Sequence, residues 1–224
     1  SFLLRKERKS LLASDLSQLE GSGNPGMQGI HWTRIKMIKN WVFWAALPAL
    51  LVQPIFSTTF FFQQVLYAET KNWTLESYVA LIPIYTLASL MGLVLGGIIV
   101  DKYGTKRLLP FYLLPMATGF MISSYCKTLF EAAIAFMCVG LMQGLGAVVA
   151  GTFWPEFYGT KHLGSVRSVA TSIMVFASAL GPLSSGIFLD SGYGLETQYA
   201  MYSVLTFLSA LGMLFVSRVS LTKV

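Results

Sequence analysis

Six stretches of the chain contain no Asp, Glu, Lys or Arg: residues 40–68, 77–100, 108–126, 132–155, 168–189 and 197–217. They run from 19 to 29 residues, and about 20 helical residues cover the ~30 Å hydrocarbon core of a bilayer. Backbone amides in lipid have no water to bond, so a spanning segment must satisfy its own ladder as a helix or close into a barrel. The period-two alternation of barrel strands is missing from all six. The sequence therefore predicts an all-α membrane protein with six transmembrane helices, at about 41–66, 78–100, 108–126, 132–153, 168–189 and 198–217. Charged residues make up 12% of the chain, against about 25% in soluble domains.

The charges that remain set a direction. With residues 1–39 placed in the cytoplasm and the spans threaded alternately, fourteen Lys and Arg fall inside and two, Lys71 and Lys127, outside. The acids divide five and five, and it is the Lys/Arg bias that orients a membrane protein. Both ends are thus expected in the cytoplasm, in a multi-pass protein of the plasma (inner) membrane. Topology accounts for the net +6 charge, so no nucleic-acid partner follows from it. Trp41, Trp44, Trp73 and Trp154 fall near span ends, either as interfacial anchors or as ordinary packing.

Residues 1–39 read as a cytoplasmic loop ahead of a membrane domain at 40–224. Within the loop, 10–30 is rich in Gly and Ser and predicts a linker. The "HWTRIKMIKNW" that follows alternates basic and apolar residues, as an interfacial helix or an extension of the first span does. The opening residues carry no signal-peptide pattern, and with Ser1 leading, the chain reads as part of a longer protein. Cys126 and Cys138 form neither a metal spacing nor a disulfide framework.

One corner concentrates charge: Gly97-Ile-Ile-Val-Asp101-Lys102-Tyr103-Gly104-Thr105-Lys106-Arg107. The bases hold the connection on the cytoplasmic side, and the glycines permit a turn or a close backbone approach. A carboxylate there can latch onto a helix N-terminus, whose free amides favour negative charge. A purely topogenic loop would explain the bases but neither the acid nor the glycines.

The stretch resembles the cytoplasmic loop signature of the major facilitator superfamily, G-x-x-x-D-(R/K)-x-G-x-(R/K)-(R/K), at all six specified positions. In that family it lies between helices two and three, with a second copy between eight and nine. The resemblance implies that the six spans are helices seven to twelve, half of the fold, with residues 1–39 as the central loop. It also implies that Asp101 faces the start of helix five, in an N-terminal six-helix half outside this chain. Gly181-Pro182-x-x-x-Gly186 partly resembles the Gly-Pro motif of the family's fifth helix, whose counterpart is the eleventh. Pro182 can bend the helix, and Gly181 and Gly186 allow close contact. Gly186-Ile-Phe-Leu-Asp190 echoes Gly97-Ile-Ile-Val-Asp101, as nested 3+3 inverted repeats would.

A substrate would meet amides, hydroxyls and phenols. Gln53, beside Pro54, and Gln143, within Gly140-Leu-Met-Gln-Gly144, lie near the middle of spans one and four, whose family equivalents line the central cavity. Gln63, Gln64, Tyr85 and Ser178 rank second, and interhelical glue is the plainer role for each glutamine. No acid or base sits at midplane, so a proton relay or an anion-binding cation falls to the absent half. Glu156 and Arg167 are expected to form a second rim interaction near Asp101. No catalytic group, cofactor or metal is implied. The reading is a non-enzymatic secondary transporter, symporter or antiporter, of a small metabolite, with or without a coupling proton, working by alternating access. Its partners are the bilayer, the N-terminal half and the substrate. The alternative is a six-helix channel or receptor-like protein, which should show a selectivity filter or a ring of pore charges.

Overall fold

The computed structural model describes residues 23–218. The basic cluster at Arg5–Lys9 and the first half of the expected linker lie outside them. Every regular element is helical, and five helices are long and apolar enough to cross a membrane.

After a short α1 (Arg34–Ile38), α2 (Trp41–Phe62) starts where Asn40 Oδ1 accepts the Val42 N–H at 2.8 Å. It breaks at Gln63 and resumes as α3 (Gln64–Thr70), so the first span stops short of the expected residue 66. Next come α4 (Leu75–Val79), α5 (Ile82–Tyr103) and α6 (Thr105–Leu108). The third expected span, 108–126, is not one helix. Pro110 and Pro115 lack the N–H that an unbroken ladder needs, and residues 109–113 make turn bonds, Phe111 N to Leu108 O and Leu114 N to Phe111 O, before α7 (Leu114–Tyr125) begins. At 1.5 Å per residue α7 alone is roughly 18 Å long. A charge-free window reports polarity, not ladder continuity. A capping box of Thr128 and Glu131 opens α8 (Leu129–Tyr158), followed by α9 (Leu163–Asp190) and α10 (Leu195–Ser217).

The long helices pack side by side in the order α9–α2–α10–α7–α8–α5. Exchanging the first three in sequence (α2, α5, α7) with the last three (α8, α9, α10) reverses that order onto itself. Packing of α5 on α8 is carried by small residues. Ala88, Gly92 and Gly96, four apart on one face, are the buried residues of α5. Gly92 meets Leu141 and Gly144, Gly96 meets Leu145 and Val148, and Gly140 meets the Tyr85 backbone; a Cβ at Gly144 would overlap the Ser89 carbonyl and the Leu93 amide. Such stripes let helix backbones touch where lipid offers no hydrophobic drive.

The two ends of the bundle are tied differently. Opposite the basic end, Phe60, Phe120, Phe136, Tyr67, Tyr78 and Tyr199 form a fully buried aromatic cluster. The Lys71 side chain, placed outside by the charge count, is only 9% exposed: it pairs with Glu196 and donates to the Cys126 carbonyl at 2.6 Å. At the basic end, the second part of the expected linker is packed. The Thr160 N–H donates to Asn24 O at 3.0 Å, the Asn24 N–H donates to Thr160 Oγ1 at 2.8 Å, and buried Trp32 meets Tyr158 edge-on. Gly26 and Gly159 are pressed together, which composition alone reads as flexibility. Trp41 and Trp44 are exposed, as anchors are, whereas Trp154 is core packing, stacked on Tyr158.

Candidate functional site

The charged corner is built by Gly104. Its φ of +78° lies where an L side chain is strained, so α5 stops and α6 leaves in a new direction. Thr105 is fully buried, and its N–H and Oγ1 both donate to Glu156 Oε1, at 3.3 and 2.7 Å. Glu156 stands on the last turn of α8, so one carboxylate ties the α5–α6 corner to that helix. Burial pushes the Lys106 ammonium below the usual lysine value, and the Glu156 charge opposes that shift. Lys102 and Arg107 lie over the Tyr103 ring, 5.2 and 5.0 Å from its centroid. Asp101 is exposed and has no partner among the described residues.

Two expectations for this corner change. A Cβ on Gly97 would meet nothing within 4 Å. The close approach belongs to Gly92 and Gly96, because one further residue turns the position about 100° away from α8. Arg167 does not join Glu156. It lies on α9, packed against α2, where it lines a separate cleft.

Near the middle of the bundle the structure brings Gln53 and Gln143 together, with Gln53 Nε2 donating to Gln143 Oε1 at 3.1 Å. Gly146 makes room: a Cβ there would press on Gln53 Oε1 at 2.5 Å. Gln53 Oε1 and Gln143 Nε2 have no described partner, which leaves the pair one acceptor and one donor. One turn along α2, the buried Ser57 hydroxyl is also unpartnered among the described residues. Tyr85 sets its ring edge-on to Phe61, 5.1 Å between centroids, while its backbone meets Gly140. Gln64 sits half-buried after the break in α2, with no described side-chain bond. Gln63 is structural: its amide donates to Ser185 Oγ, which donates to Gln198 Oε1 at 2.6 Å, where the Tyr202 hydroxyl also donates. Sequence reasoning missed this buried α2–α9–α10 network, although the amide of Gln198 within a charge-free window was a signal for it.

Pro182 of α9 sits beside that network. A Cβ on Gly181 would overlap the Ile55 carbonyl and lie 2.5 Å from Thr59 Oγ1, whereas one on Gly186 would meet nothing. Only the first of the two glycines is a contact. From there toward the basic end Ala177, Ala170 and Val166 keep α9 packed on the core, and beside that stripe lies a cleft of about 350 Å³ lined by Pro54, Trp154, Arg167, Thr171 and Ser178 among others. No group of three or more His, Cys, Asp or Glu among the described residues could hold a metal ion.

Long apolar helices that meet along glycines, a charged corner at one end and an amide pair at mid-depth are the marks of a multi-pass membrane protein. The family model of the Major Facilitator Superfamily matches residues 35–223, and the chain belongs to that family. The chain is 28% identical over 148 residues to the probable plastidic glucose transporter 1 of Arabidopsis thaliana, a match covering 64% of this chain and 27% of that protein. No solved structure matches the chain.

Proposed function

We propose that the chain is the C-terminal six-helix half of a secondary active transporter that moves a small metabolite by alternating access. The observation that carries this is Asp101: the loop signature is complete around it, its neighbours Thr105, Lys102 and Arg107 are engaged, yet it is exposed and unpartnered among the described residues. A carboxylate held so at a bundle rim suits a helix N-terminus on another body, which we assign to the N-terminal half. The self-reversing helix order supports a 3+3 inverted repeat, with the broken 105–125 segment as its third member. In this arrangement the basic end faces the cytoplasm, residues 1–39 belong to the central loop, and α2 and α8 present Gln53 and Gln143 to the cavity.

The glucose transporter similarity makes a polyhydroxylated metabolite the first solute to try. The test is counterflow in proteoliposomes carrying the full-length protein. Saturable uptake, accelerated by solute on the far side, is expected. Flux that rises linearly with concentration and shows no trans-acceleration would mean a channel instead.

A further inference from the structure

Among the described residues, clefts of similar size lie at three places on the bundle. Two flank α7, at about 370 and 380 Å³, with largely apolar walls; the one carboxylate there, Glu131, is engaged by the Lys127 and Thr128 amides. The third, between α9 and the α2–α8 pair, is chemically different. Arg167, Thr171, Met174, Val175 and Ser178 contribute its α9 wall at spacings that put all five on one helix face. Pro54, directly after Gln53, and Trp154 stand across from them.

The polar groups of this cleft are mostly hydrogen-bond donors without partners. The Arg167 guanidinium pairs with no described carboxylate, and neither the Thr171 hydroxyl nor the Trp154 indole N–H makes a bond to a described residue. Ser178 spends its hydroxyl proton on the Val175 carbonyl at 2.7 Å, leaving oxygen lone pairs. The lining contains no Asp or Glu. A guanidinium presents a planar fork of donors that matches a carboxylate or phosphate in two parallel bonds.

We propose that this cleft binds an anionic solute, with Arg167 as its counter-charge at the basic mouth and Thr171 and Trp154 as supporting donors. The proposal rests on the transporter reading above and narrows its substrate to small molecules bearing a carboxylate or phosphate. It also places the cation in this half, where a sequence without midplane charge assigns it to the other. Arg167 escapes that reasoning because it borders the charge-free window 168–189, and its position on the cleft-facing stripe appears only with the fold.

The test uses the full-length protein, purified and reconstituted, with succinate, glycerol 3-phosphate and glucose as probes. At least one of the two anions is expected to raise the melting temperature and to show counterflow. Arg167→Gln should weaken that anion about tenfold or more, as loss of a charged hydrogen bond does, with Arg167→Lys losing less and Thr171→Val least. Counterflow of glucose alone, unchanged in Arg167→Gln, overturns the anion assignment and leaves the transporter reading intact. Absence of counterflow for all three probes overturns both. Stabilisation by phosphatidylglycerol vesicles that neither soluble anion displaces would make the group a lipid-headgroup contact, and the substrate assignment falls.

Discussion

Helix order makes two interfaces counterparts, α5 on α8 and α9 on α2, yet they are built to opposite ends. The first brings glycines onto backbone in three places, Gly92 on Leu141, Gly140 on Tyr85 and Gly144 on Ser89. The second does so in one, Gly181 on Ile55; on one side of that point it is tied through Ser185 and Gln63, and on the other Ala177, Ala170 and Val166 stay buried beside a cleft. Two copies of one packing scheme thus differ in how closely their backbones meet. What separates them is the number of glycines that touch backbone, since a Cβ at each would hold the two helices further apart.

The largest blow to this comparison is Gly144→Leu, which drives a side chain into the Ser89 and Leu93 backbone. Loss of the monodisperse folded protein in detergent is expected, because overpacking of this kind costs about 1–3 kcal/mol or more. Gly181→Val, which presses on the Ile55 carbonyl at a single close point, should reduce the melting temperature less but should abolish uptake. Glu156→Gln removes the charge from the two bonds to Thr105, at about 1 kcal/mol; the Thr105 amide should then exchange its hydrogen faster. Gln143→Ala is expected to change stability by only about 0.6 kcal/mol while measurably lowering solute affinity in the counterflow assay. Gly97→Ala and Gly186→Ala, which meet open space, should stay within about 0.5 kcal/mol of the parent melting behaviour. Were Gly186→Ala as damaging as Gly181→Val, the idea of a single contact point on α9 would fail.

Much of this was legible in the chain itself. Charge-free windows located five long apolar helices because burying a charge in lipid is costly wherever it falls, and the loop signature located the corner because a glycine tolerates the φ at 104. Gln53 and Gln143 stood out as mid-span amides, but their pairing appears only with the fold. The break at Pro110 and Pro115 was visible as residues yet hidden by the hydropathy reading, which weighs side chains and ignores missing amides. The packing of Asn24–Trp32 and the burial of Lys71 were not legible, since both depend on partners far along the chain: Thr160 for one, Cys126 and Glu196 for the other. Local composition says polar or charged; only tertiary contact says buried.

The seating of Asn24 on Thr160 carries a consequence for how the protein is made. The two residues are 136 positions apart, and the earlier one leaves the ribosome before its seat has been synthesised. The segment must wait, unseated, through the insertion of four long helices. Its closure against Tyr158 and Gly159 therefore follows the synthesis of α8, and protection of Asn24–Trp32 from protease would time-stamp the moment the end of that helix is in place.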